Sequence, residues 1–569
     1  MTAPGDPAAP SLQAIPDPSV ETIRRPASQG QPAVDAGASR SFTEEERRRL
    51  APYFTNLDGP VFALVNLPEA VKGALFARYS RSNKSLRRLF LDEFLEDVEA
   101  APAARPPEVG VARAERLYAR VFDEYGDDSV AQLGGVHLAC EDASNILTKI
   151  LERGRLMAYL EQSTRYVPYT DRPGGRWRYR VPEELDAHAA LRERYARTLD
   201  EAFACYARWL EPLQEHFRRR HPRRPEDPEG VYRSVIRAKA LDTLRGLLPA
   251  ATLSNVGIYG SGQAFEALLL RMRANPLAEA QSYAALMLAE LRKVIPAFLR
   301  RVDRPDRGGL WSRYLAETRA QTEQIAQAVA GGLEPEPRDE VTLVDFDPEG
   351  EVKVVAAALY PATGLPDDQL LELARRMSAE ERAAVLRACV GERSNRRHKP
   401  GRAFERTRYR FDILADYGAF RDLQRHRLLT IEWQPLSPRH GYVEPEAIVE
   451  AGADADFRRV MEAGADLYDA LVAAGLRSIA PYAVPMAYRI RFSMDMNARE
   501  AMHVIELRTA PQGHPAYRRI CQRMHRLIAE QAGHRAIAEA MRFADHSAVE
   551  LERLEAERDR DRRRRTSPA

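Results

Sequence analysis

Hydrophobic and polar positions follow the same plan in both halves of the chain. In the second half, Tyr409, Phe411 and Ile413 alternate with Arg408, Arg410 and Asp412, the period of a strand with one buried face. Asp416 then stands where an N-cap belongs, before a short helix whose apolar side is Ala419, Phe420 and Leu423. Further on, Tyr488, Ile490, Phe492 and Met494 alternate again, and Asn497 caps a helix running through Arg508. In the first half, residues 136–140 read as a strand, and Ile146, Leu147, Ile150 and Leu151 give a helix face. The openings match too. Residues 60–65 and 341–346 are strand-like, and each leads through a Pro-Glu pair into an apolar helix. The pattern predicts one α+β unit written twice, with helices against an antiparallel sheet.

A length of 569 residues exceeds what one hydrophobic core usually supports, and 44% hydrophobic with 30% charged residues reads as globular. The 85 basic and 83 acidic residues nearly cancel to a net charge of +2, which disfavours nucleic acid as a partner. Any anion site must come from local arginine clustering. Cys140, Cys205, Cys389 and Cys521 show no C-x-x-C spacing, which points to a reducing compartment and against structural zinc. The first forty or so residues are rich in Ala, Pro, Gly and Ser and lack the pattern of a signal peptide. No apolar run is long enough to span a bilayer, so a cytoplasmic protein is expected. Gly/Pro punctuation at 303–309 and 331–337 brackets a helix-prone connector. The expected organisation is a disordered segment 1–43, a first repeat 44–302, a linker 303–339, a second repeat 340–549 and a charged tail 550–569.

Chemistry concentrates in arginine motifs. Arg153-Gly154-Arg155 is followed by Glu161-Gln162-Ser163-Thr164-Arg165-Tyr166, and Arg425-His426-Arg427 by Ser437-Pro438-Arg439. Guanidinium forks bind phosphate oxygens bidentately and a nearby hydroxyl adds a further bond, so both segments suit a phosphate. Glu161 stands four residues before Arg165, a spacing that also suits a local ion pair. Arg396 to Arg402 reads first as a solvated basic loop, with a grip on a pyrophosphate as the alternative. No metal-ligand cluster, Gly-rich phosphate loop or Ser-His-Asp arrangement stands out, so no metal is expected.

These residues resemble the flavin-dependent thymidylate synthases, whose hallmark is Arg-His-Arg, seven residues, then Ser. The first repeat has the spacing but Gly154 for the histidine; the second has the letters, but nine residues precede Ser437. The family's Asn-Ala-Arg helix start is matched at Asn497-Ala498-Arg499, and its Leu-Arg end at Leu507-Arg508, with His503 between. In the first repeat only the helix remains, with Arg271 and Arg273 as competing matches for the terminal arginine. The family's arginine ahead of Leu-Pro is Arg245; the second repeat has Pro481 there. The resemblance covers most of about 44–300 and 340–545.

It implies two tandem, diverged copies of the flavin-dependent thymidylate synthase fold, forming a homodimer that rebuilds a pseudo-tetramer. It also implies reductive methylation at C5 of dUMP, or of a related pyrimidine nucleotide. FAD would be the cofactor, with NADPH and methylenetetrahydrofolate as co-substrates. Arg425, His426 and Arg427 are assigned to catalysis and, with Ser129, Asn497 and His503, to the flavin. Arg153, Arg155, Glu161, Ser163, Arg165, Arg245, Arg273, Ser437, Arg439 and Arg508 are assigned to substrate. The losses are complementary, so a composite site drawing on both copies is expected. The reading from a different class is a catalytically retired relative that binds nucleotide or acts as a scaffold or RNA-binding partner.

Overall fold

The computed structural model describes residues 42–67, 71–72, 75–76, 79, 82–100, 135–547 and 554. Ser129 and the disordered segment and tail expected from sequence lie outside these residues, apart from Phe42, Thr43 and Leu554. Two antiparallel four-stranded sheets carry the α+β architecture. The first contains β1 (Val61–Leu64), β2 (Gly135–Ser144), β3 (Met157–Glu161) and β4 (Leu253–Ser261) in the order β1-β2-β4-β3. The second contains β5 (Val341–Phe346), β6 (Arg408–Asp416), β7 (Thr430–Trp433) and β8 (Arg489–Asn497) in the order β5-β6-β8-β7. The shared, non-sequential order is a strong sign of duplication.

Alternation sets each face. Tyr409, Phe411 and Ile413 of β6 and Ile490, Phe492, Met494 and Met496 of β8 are all buried, while Arg408 and Arg410 turn outward to Asp495. Burying each such side chain contributes about 1.5–3 kcal/mol. Both expected caps form: Asp416 accepts from Ala419 N at 2.9 Å, and Asn497 accepts from Glu500 N at 2.9 Å. The connector contains the helix Gly308–Ala330, which buries only its first glycine.

One continuous apolar cluster runs through both copies, and a smaller one in the first copy gathers Leu50, Phe54, Phe62 and Phe90 on the other face of β1. The junction of the copies is built from equivalent positions meeting each other, the signature of a local two-fold. Pro249 bridges Pro485, Met486 N donates to Leu248 O at 2.9 Å, and Ala250 N donates to Val484 O at 2.9 Å. The residues that follow the two matching caps also touch: Tyr417 Oη donates to Asn145 O at 2.9 Å. The long helices Ala189–Arg220 and Asp454–Ala473 pack together, with Trp209 and Arg208 both donating to Asp456. Among the described residues no helix is long and apolar enough to cross a membrane.

Candidate functional site at the junction of the copies

Caps and the junction fix which residues correspond. Ser144 and Asp416 cap the helices Asn145–Leu151 and Tyr417–Leu423, so Ile150 corresponds to Asp422 and Gly154 to His426. Ser261 and Asn497 cap Gly262–Arg273 and Ala498–Arg508, so Met272 corresponds to Arg508. The Pro249–Pro485 bridge makes Arg245 the counterpart of Pro481.

Around Asp422 the junction gathers arginines from both copies. Arg425 donates to its carboxylate from one turn away, and Arg245 of the first copy lies 3.5 Å off. Burial pushes the Asp422 carboxyl up, but Arg425, Arg245, Arg508 and Arg165 outweigh it and hold it well below the usual range. Arg165 is fixed by Asp242, with Nε 2.8 Å from Oδ1 and Nη2 2.7 Å from Oδ2, and its Nη1 reaches Tyr517 Oη at 3.4 Å. Arg508 sits 5.4 Å over the Tyr517 ring and donates from Nε to His426 Nε2 at 2.8 Å. His514, beside the cluster, is pushed down to about 3 by burial and by Arg245, which leaves it neutral.

Gly418 makes this arrangement possible. A Cβ there would lie 2.8 Å from Arg245 Nε, so the guanidinium lies against the bare helix backbone. Two donors remain over: Arg245 Nη2 and Arg425 Nε are buried without a hydrogen-bond acceptor among the described residues. Buried cationic donors of this kind suit an anionic oxygen ligand.

A second group adjoins the first. His426, Glu500 and His503 bring one ligand atom each within 4.8 Å of one another. A divalent ion is disfavoured there, because Arg508 occupies His426 Nε2, and Lys399, Arg396 and Arg427 face the group. Burial and the neighbouring Lys399 and Arg396 push His503 down to about 4. The loop carrying these cations is anchored by Arg393, whose Nη1 and Nη2 donate to Glu506 at 2.7 and 2.6 Å. Helix start, neutral histidines and cationic loop fit an aromatic cofactor bearing phosphates.

The counterpart pocket is dismantled. Ile150, Gly154, Met272 and Pro481 stand where the first pocket has Asp422, His426, Arg508 and Arg245. Tyr159 fills the gap: its hydroxyl lies 2.6 Å from a Cβ built on Gly154 and donates to Gly154 O at 3.1 Å. Arg153 and Arg155 turn to β7, pairing with Glu432 at 2.6 Å and Thr430 Oγ1 at 2.9 Å. Arg427 reaches the other way, to Met157 O of β3.

Several sequence assignments move. Glu161 does not pair with Arg165. It is buried between Arg421 at 2.7 Å and Lys149 at 3.1 Å, and these outweigh burial to hold it at about 2. Arg273 falls one position past the Arg508 equivalent and lies near Asp303 instead. Ser437 is buried at the start of a short turn, and exposed Arg439 lies near His440. Neither joins the Asp422 cluster in any described contact. The extra residues of the second copy follow Gln434, whose N bonds Arg491 O as Gln162 N bonds Asn255 O. Ser163 Oγ accepts from Arg165 N at 3.3 Å.

Asp422, Asp242, His514, Tyr517, Arg421 and Glu500 carry no motif signal and were not expected. One weak echo was present: Gly391-Glu392-Arg393-Ser394 opens the cationic loop much as Gly126-Asp127-Asp128-Ser129 precedes β2.

Comparison with known proteins agrees with the duplication. The family described as thymidylate synthase complementing protein matches residues 74–297 and again 342–533. A UPF0159 protein of Chlamydia muridarum is 38% identical over 91% of this chain and 98% of its own length. One from Thermoplasma acidophilum is 31% identical over 85% of this chain and 97% of its own. A flavin-dependent thymidylate synthase of Mycobacterium bovis is 29% identical over 182 residues, 32% of this chain and 66% of its own.

Proposed function

Because the chain belongs to the thymidylate synthase complementing protein family, we propose that it is a flavoenzyme methylating C5 of a uracil nucleotide, dUMP foremost. The observation that carries this reading is the Asp422 cluster, where Arg165 and Arg245 of one copy meet Arg425 and Arg508 of the other. Its spare donors, Arg245 Nη2 and Arg425 Nε, suit phosphate and carbonyl oxygens of the nucleotide.

Bound reduced FAD would supply hydride, NADPH would reduce it, and methylenetetrahydrofolate would supply the carbon. His426, Asn497 and His503, with Lys399 and Arg396, would hold the flavin. This chain's own work is positional and electrostatic. The part-buried guanidiniums favour negative charge developing on the uracil ring, in a pocket where such donors count for more than in water. No side-chain nucleophile is needed, and Cys521, a thiol beside Arg508, is pushed up to about 12 by burial.

The test is tritium release from 5-tritiated dUMP with methylenetetrahydrofolate and NADPH, repeated with UMP. Yellow protein, bleached by NADPH and releasing tritium from dUMP, supports the reading. Protein that stays colourless after reconstitution with FAD and binds nucleotide without turnover supports a retired relative instead.

A further inference from the structure

The connector helix Gly308–Ala330 leaves its own apolar residues in water. Trp311, Leu315, Thr318, Thr322, Ile325 and Val329 follow one another at alternating spacings of four and three, the period of a seam that faces a second helix. Yet the helix buries only Gly308, and every residue from 320 to 339 is exposed. Leu310, Trp311, Tyr314, Ile325, Val329 and Leu333 are each 51–77% exposed. A helix draws most of its stability from a packed face, and β-branched Ile325 and Val329 add little propensity of their own. Its described hydrogen bonds to the first copy lie in its first half: Ser312 Oγ donates to Leu270 O at 3.4 Å, and Arg319 donates to Ala274 O.

The seam is symmetric about position 320. Trp311 and Val329 stand equally far from it, as do Leu315 and Ile325, and Thr318 and Thr322. Two such helices laid antiparallel set each residue of a pair opposite the other, a self-complementary contact that closes on itself. A cavity of about 440 Å³ opens at the head of the seam, lined in part by Leu270, Leu310, Trp311 and Tyr314. The tail carries Val329 and Leu333, so in this pairing the tail of each copy meets the cavity of the other. Charge selects the same orientation. The head bears Arg307 and Arg313 and the tail Glu334 and Glu336, so antiparallel helices match opposite signs and parallel ones stack like on like. The six exposed apolar side chains offer on the order of 500 Å² per copy, a patch of the size that marks an interaction site. With the polar rows beside them this approaches the roughly 800 Å² per partner that a stable interface buries.

We propose that the connector helix is a docking surface for a second copy of this chain, paired antiparallel through the Trp311–Val329 seam. The helix lies outside both sheets, and the contact does not depend on the nucleotide–flavin reading.

The experiment follows the full chain by sedimentation velocity over a range of concentrations. The unsubstituted protein should be a dimer, and the double variant Ile325→Glu, Val329→Glu should raise the dissociation constant at least about a hundredfold. Its melting temperature at concentrations where both proteins are monomeric should not change, because both side chains are exposed in the single chain. A double variant that stays dimeric places the contact elsewhere and overturns the proposal. A monomeric unsubstituted chain overturns it too; slow hydrogen exchange over 320–330 in that monomer would assign the seam to another segment of the same chain. Orientation is read by oxidative cross-linking, which also decides the matter if the double variant fails to fold. Trp311→Cys mixed with Val329→Cys should give a cross-linked pair, and neither should cross-link to itself. Trp311→Cys or Val329→Cys joining to itself, or no cross-link in the mixture, contradicts the antiparallel seam.

Discussion

Arg245 of the first copy lies 3.5 Å from Asp422 of the second, the arginine buried and the carboxylate partly so, at the junction of the two copies. The pair couples two halves whose contact residues stand 177 positions apart. Replacing Arg245 by Met should remove one charge-assisted contact to the nucleotide, worth about 1.5–3 kcal/mol, or roughly 10- to 150-fold in affinity. Flavin content should be unchanged, because Arg245 faces Asp422 and Asp416 rather than His503. Absorbance at 450 nm and dUMP titration on the same preparation separate the two effects.

Glu161 gives stability a defined acid limb. Its folded carboxyl is held at about 2 against an ordinary 4.5, so its contribution is complete above the ordinary value and is lost as pH falls through the folded one. Urea midpoints should therefore decline between about pH 4.5 and 2. Glu161→Gln should flatten that decline while costing about 3–5 kcal/mol at pH 7, because Arg421 is left buried without its partner. An unchanged acid slope in the variant would refute the pairing.

Arg393 anchors the cationic loop through Glu506 and Ala540 O. Breaking this buried pair with Arg393→Met should cost about 3–5 kcal/mol in urea unfolding. It should also lower the flavin retained on desalting, since Lys399 and Arg396 lose their support. Equal flavin retention at a reduced melting temperature would separate the loop from the cofactor.

Restoring the missing histidine should not restore a second site. In Gly154→His the new side chain meets the Tyr159 hydroxyl at 2.6 Å and Met157 Sδ at 3.2 Å from its Cβ. Overpacking of this kind costs about 1–3 kcal/mol. Thermal melts should shift down, with turnover per chain no higher than before.

Elements with clean periodicity were legible in sequence. The β6 and β8 alternations and the Asp416 and Asn497 caps appear where the pattern put them. The short strands β3 and β7 were not: β3 mixes buried, half-exposed and exposed positions without alternation, and β7 is four residues long with no buried position to mark a core face. The site was legible only where residue type and spacing recur together, as at Arg425-His426-Arg427 and Arg508. Asp422 and Asp242 look like any acid in a chain with 83 of them; only the junction reveals that each holds arginines of the site. Arg273 misled for a geometric reason. One residue along a helix turns a side chain by about 100°, so Met272, not Arg273, takes the place of Arg508. Glu161 misled because its true partner, Arg421, is 260 residues away.

The central claim is that each chain builds one nucleotide site from both of its copies. Equilibrium titration of the FAD-loaded chain with dUMP tests it most directly. One nucleotide should bind per chain, and Arg245→Met in one copy or Arg508→Met in the other should each eliminate or severely weaken that same site. Two nucleotides per chain, or undiminished binding in either variant, would contradict it.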